Sequence, residues 1–119
     1  MAKNHKELAD EVSLSSTALS RGLGETMAGF RAMGKGAYAD GALSRTHKEL
    51  IALALSVASR CDGCVAYHAK RVAELHATRE EVLETLGVAI QMGGGPSMVY
   101  GGEALRAFDA FQLVPAAAG

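Results

Sequence analysis

The twenty residues from Glu49 to His68, ELIALALSVASRCDGCVAYH, decide the fold. The first half is rich in Leu, Ile, Ala and Val, and predicts a buried helix over about Arg45 to Ser59, with Ser44 as its N-cap. Arg60-Cys61-Asp62-Gly63 is too short to be anything but a tight link. A second helix then runs from about Gly63 to Leu75, and the two form an antiparallel hairpin. Cys61, Cys64 and His68 stand at i, i+3 and i+7, which places them within roughly 60° of arc on one helix face. Val72 and Leu75 continue that face, so it points into the protein interior.

Other helices surround this hairpin. Lys6 to Leu19 carries a loose apolar stripe of Leu8, Val12 and Leu19. Leu23 to Tyr38 carries Leu23, Met27, Phe30 and Met33 at helical spacing, interrupted by Gly29, Gly34 and Gly36. Asp40-Gly41 marks a turn. Thr78 and Glu81 form a predicted capping box for a fifth helix with Val82, Leu83, Leu86 and Ile90 on one face. Gly93-Gly94-Gly95 ends it, and Pro96 sits in the first turn of a sixth helix bearing Val99, Leu105 and Phe108. No strand pattern is present. The expected fold is all-α, about six helices around a central antiparallel hairpin.

A chain of 119 residues suits one domain, here residues 1–114, with the Ala-rich 115–119 as a flexible tail. The apolar fraction is 49% and the aromatic fraction only 5%, so the core must be aliphatic. Twelve basic against thirteen acidic residues leave no basic face for nucleic acid. The strongest apolar run, Ile51 to Leu55, is far short of the roughly 20 residues that span a bilayer. No secretory h-region follows the N-terminal Met-Ala-Lys-Asn-His, so a cytoplasmic location is expected. Gly93 to Pro96 lacks the Gly-Lys-Ser/Thr ending of a phosphate loop, and no cofactor is expected. His47, Lys48 and His76 read as surface residues, and Met27, Met33, Met92 and Met98 as core or subunit contacts.

The chemistry lies in the only two cysteines. A disulfide closing so short a loop stabilises little, so in a reducing compartment such a pair is reactive or metal-binding. A helix N-terminus favours a thiolate, while the carboxylate of Asp62 opposes it. His68, one turn beyond Cys64, can take the thiol proton. Glu49 lies eleven residues before Arg60 and His68 eight after it. At 1.5 Å per residue those offsets differ by less than one helical pitch, about 5 Å, so carboxylate and imidazole can meet across the hairpin. Other readings stay open at this point. The thiols can be small apolar core residues, His68 a satisfied core histidine, and Glu49 a solvent-facing residue. Cys61, Cys64 and His68 can also hold zinc, with Glu49 as the fourth ligand.

The spacing Glu, eleven residues, Cys-x-x-Cys, three residues, His resembles the alkylhydroperoxidase D (AhpD)-like branch of the carboxymuconolactone decarboxylase superfamily. So do Asp40-Gly41-Ala42-Leu43-Ser44, Ala66-Tyr67-His68, Ala77-Thr78-Arg79-Glu80-Glu81 and Met92-Gly93-Gly94-Gly95-Pro96. The resemblance implies a helical homotrimer or homohexamer that reduces a peroxide or disulfide substrate and is re-reduced by a dithiol protein or small thiol. It implies that Cys64 attacks the peroxide, that Cys61 resolves the sulfenic acid, and that Glu49 and His68 relay protons. Peroxidase members carry His directly before the second cysteine, where this chain has Gly63. A carboxymuconolactone decarboxylase-like enzyme acting on a small lactone or carbon acid is the alternative, as is a non-enzymatic zinc- or redox-responsive module.

Overall fold

A computed structural model describes residues 3–112; the expected tail at 115–119 lies outside them. The described residues form six helices and no strand: α1 (His5–Gly22), α2 (Gly24–Tyr38), α3 (Arg45–Ala58), α4 (Asp62–Glu74), α5 (Arg79–Gly93) and α6 (Gly95–Gln112). No described helix is long and apolar enough to cross a membrane.

The helix ends follow from side chains that satisfy orphan backbone groups. Ser44 Oγ accepts from the amide of His47 at 3.1 Å, as expected of an N-cap. Asp40 Oδ1 adds a bond from the amide of Arg45 at 2.7 Å. At α5 the capping box is complete: Thr78 Oγ1 accepts from Glu81 N at 3.1 Å, and Glu81 Oε1 accepts from Thr78 N at 2.8 Å. The first helix starts earlier than its apolar stripe suggests, because Asn4 Oδ1 caps it by accepting from Glu7 N at 3.1 Å. Of Gly93, Gly94 and Gly95 only Gly94 leaves the helices, at φ 70°: Gly93 is the last residue of α5 and Gly95 opens α6.

Both ends of the central hairpin close by the same device. Cys61 N donates to Ser56 O and Arg60 N to Val57 O, each at 3.1 Å. Ala77 N donates to Val72 O and His76 N to Ala73 O, each at 3.0 Å. These are paired six-to-one and five-to-two Schellman bonds. They require a left-handed residue, and here it is not glycine: Arg60 has φ 54° and His76 φ 62°. His76 is exposed, as expected, so His76→Gly should raise stability by about 0.5–1 kcal/mol by removing the left-handed penalty. A urea midpoint shifted upward with unchanged slope is the readout.

The core gathers Leu53 and Val57 from α3, Val65 and Val72 from α4, Val82 from α5 and Phe108 from α6, all fully buried. It is aliphatic, with one large aromatic plug. The third helix is buried on one side only, since Ile51 and Leu55 on its other side are exposed. Leu83, read on one face with Val82 and Leu86, is exposed while those two are buried, and Val99 is exposed as well.

The larger correction concerns α2. Its backbone packs against α1 and α3, its last residue, Tyr38, reaches His68 of α4, and it has no buried residue. Of its stripe, Phe30 is 62% exposed and Met33 63%. Met92 and Met98 are also exposed, so none of these three methionines is a core residue. Helical periodicity identifies an apolar face but not what covers it, and the described residues supply no cover.

His5 is a buried residue that no pattern in the sequence marks. Burial, then the charge of Arg106, holds its imidazole below the ordinary 6.5, although Glu103 pulls the other way. Between that lowered value and 6.5 the unfolded chain binds the extra proton. The stabilising contribution is therefore complete above 6.5 and is lost as pH falls through the folded value. Urea midpoints measured downward from pH 6.5 should fall, and His5→Leu should flatten that limb relative to the parent.

Candidate active site

Cys61 has two structural duties. It is the last residue of the Schellman turn closing α3 and the N-cap of α4, in an extended conformation at φ −102° and ψ 100°. It thus stands just before the helix rather than on it, which corrects the expectation of three side chains on one continuous helical face. Its Sγ still turns over the first turn and accepts from the amide of Cys64 at 3.2 Å. Cys61 and Cys64 are joined as a disulfide, with their Cα atoms 5.2 Å apart. Both residues are half-buried.

His68 follows Cys64 by four residues, so the two share a helix face. Across the hairpin, Glu49 is 3% exposed. A carboxylate so deeply buried needs a partner, and His68 provides it, with Nδ1 3.4 Å from Glu49 Oε2. The solvent-facing reading of Glu49 is thereby excluded. With Nδ1 engaged, Nε2 is the ring nitrogen left for proton exchange. Among the described residues no hydrogen bond links the ring to either sulfur.

Two tyrosines frame the imidazole. The Tyr67 ring meets His68 edge-on with centroids 5.0 Å apart, and Tyr38, the last residue of α2, lies tilted at 6.2 Å. Burial and then the nearby charge of Glu49 push the Tyr38 hydroxyl above its ordinary range. Sequence reasoning did not reach Tyr38, because nothing local in residues 24–38 signals that this helix ends beside the hairpin.

Gly63 has a structural cause. A Cβ built there would lie 2.8 Å from Val12 Cγ2, so α1 rests directly on the turn between the cysteines. Asp62 was expected to oppose a thiolate; its Oδ1 instead faces Lys3 Nζ at 3.0 Å. Among the described residues no three His, Cys, Asp or Glu side chains group so as to hold a metal ion.

The arrangement offers a dithiol/disulfide couple at a helix N-terminus, a nearby base, and a buried carboxylate that orients the base. Known proteins resemble the chain as a whole. The family model for the carboxymuconolactone decarboxylase family matches residues 24–110. A crystal structure of a carboxymuconolactone decarboxylase family protein from Legionella pneumophila, in its apo form, superposes with a TM-score of 0.89 at 44% identity, covering 91% of this chain and 96% of that one. An uncharacterized protein of Cupriavidus necator is 39% identical over 110 residues, 92% of this chain and 97% of its own. An uncharacterized protein of the cox locus of Paracoccus denitrificans is 35% identical over 80 residues, 67% of this chain and 72% of its own.

Proposed function

The chain belongs to the carboxymuconolactone decarboxylase family, and from that premise we propose that it is an AhpD-like, thiol-dependent peroxidase. The observation that carries this reading is the bonded Cys61–Cys64 pair at the start of α4, one turn before an imidazole held by a buried carboxylate. A lactone decarboxylase has no evident use for two neighbouring sulfurs that bond to each other.

In the proposed cycle the Cys64 thiolate attacks the distal oxygen of a hydroperoxide. The O–O bond breaks, Cys64 becomes a sulfenic acid, and the alkoxide takes a proton from His68. The Cys61 thiol then attacks the sulfenic sulfur, water leaves, and the disulfide forms. A dithiol protein or small-thiol reductant returns the pair to two thiols and is itself oxidised to a disulfide. Glu49 holds the ring and stabilises its protonated form throughout. The cycle uses no cofactor and suits the reducing cytoplasm.

The test is a thiol count. The reduced protein, freed of reductant, receives one equivalent of cumene hydroperoxide. Loss of two free thiols per chain is expected; persistence of both overturns the reading. Turnover of a lactone by the double Cys→Ser variant would favour decarboxylase-type chemistry instead.

The same reading includes a homotrimer or homohexamer. Its support is the bare face of α2, together with exposed Met92, Met98 and Val99. Native mass should be three or six times 12.3 kDa. Phe30→Glu, a charge on an already exposed residue, should shift that mass toward a single chain. A native mass of one chain for the unaltered protein removes the proposal.

A further inference from the structure

Asp62 lies between the two cysteines in the chain, at the first position of α4. Lys3, from the segment before α1, reaches this carboxylate. Its Nζ lies 3.0 Å from Asp62 Oδ1, 2.9 Å from Glu103 Oε1 on α6, and 5.1 Å above the centre of the Tyr100 ring. Three separate contacts therefore fix one ammonium beside the cysteine turn. Asp62 Oδ1 is itself buried and accepts no aligned hydrogen bond; the Lys3 ammonium faces it, and the Tyr100 hydroxyl also supports the carboxylate.

The groups around Asp62 are otherwise mostly acidic. Glu7 and Glu11 of α1 line, with Lys3 and Asp62, a cavity of about 220 Å³. Glu103 and Tyr100 approach from α6, and buried His5 from α1. Arg106 Nη2 is 3.8 Å from Glu103 and forms no ion pair with Asp62. Glu103 and then Asp62 hold the Lys3 ammonium charged, and Lys3 draws the Asp62 carboxyl below its usual range. Without Lys3 the carboxylate beside the cysteine turn would lose its one ion-pair partner among the described residues and keep only the neutral Tyr100 hydroxyl and solvent.

We propose that Lys3 sets the redox poise of the Cys61–Cys64 pair by neutralising Asp62, so that a thiolate can form beside it when the disulfide is reduced. Lys3 acts through Asp62 and touches neither sulfur. The inference rests on the pair being redox-active, but not on a peroxide being its oxidant. A dithiol stabilised as its thiolate makes the corresponding disulfide more oxidising. Removing Lys3 should therefore raise the thiol pKa and favour the disulfide.

The experiment is equilibration of the full chain with reduced and oxidised dithiothreitol, in which two electrons pass between protein disulfide and added dithiol. Thiolate absorbance against pH is measured alongside. Lys3→Met should shift the equilibrium constant roughly threefold to tenfold toward the protein disulfide and move the thiolate titration to higher pH. Lys3→Arg should preserve both values. Lys3→Met combined with Asp62→Asn should return both toward the parent, a rescue that a merely structural role for Lys3 would not give. An unchanged equilibrium constant in Lys3→Met, or no rescue by Asp62→Asn, overturns the inference while leaving the thiol reading intact. A parent pair that never exchanges with dithiothreitol overturns both.

Discussion

Cys64→Ser should abolish peroxide turnover, by roughly 10³-fold or more, because the substitution removes the proposed nucleophile outright. Cys61→Ser should behave differently. It should consume one equivalent of peroxide, stop, and leave a sulfenic acid on Cys64 that dimedone traps. The distinction matters because the geometry gives Cys61 an advantage of its own: its Sγ accepts the amide of Cys64 at 3.2 Å, a bond that strengthens when the acceptor is charged. Cys64 has its own advantage in sharing a helix face with His68. Mass spectrometry of the two trapped variants decides between them. A dimedone adduct on Cys61 of Cys64→Ser, with retained single turnover, would exchange the two roles.

The second large effect is expected at His68. His68→Asn should lower kcat/KM for cumene hydroperoxide by about 10²–10⁴, the usual worth of a positioned acid or base. Glu49→Gln should cost less, since an amide oxygen can still accept from Nδ1 at the same site. It no longer stabilises a protonated ring, however, so the pH profile of kcat/KM should shift along with the rate. Glu49→Gln with an unaltered profile would mean that the buried carboxylate serves packing rather than proton transfer. Both variants need a check of native mass and helicity, because Glu49 stands in a buried stretch beside Leu50 and Leu53.

The parts of the fold that a linear pattern can encode were legible in the sequence. Ser44, Thr78 and Glu81 announce their helix starts through side chains that bond three residues away. The meeting of Glu49 with His68 followed from the helical rise and a short link. What escaped depends on partners distant in the chain or on unusual residues. Helix ends are normally flagged by glycine, and Arg60 and His76 carry no such flag. Placing Cys61 on the helix rather than at its cap followed from missing that turn. Lys3 reaches Asp62 across 59 positions of the chain, Tyr38 arrives from a helix with no buried residue, and Val12 touches Gly63 from α1. None of these leaves a local period or motif. The sequence marks the face of α2 as apolar and leaves core and subunit contact both open for its methionines, because polarity records that a surface seeks cover but not whose; exposed Met33 removes the core half.

The seating of Val12 against Gly63 joins the histories of two distant positions. A descendant that gained a side chain at 63, histidine included, would place its Cβ 2.8 Å from a Val12 γ-methyl, so position 12 or the seat of α1 would have to give. A smaller residue at 12, such as alanine, removes the contact and makes that change easier. Among relatives, bulk at 63 and branching at 12 should accordingly exclude one another.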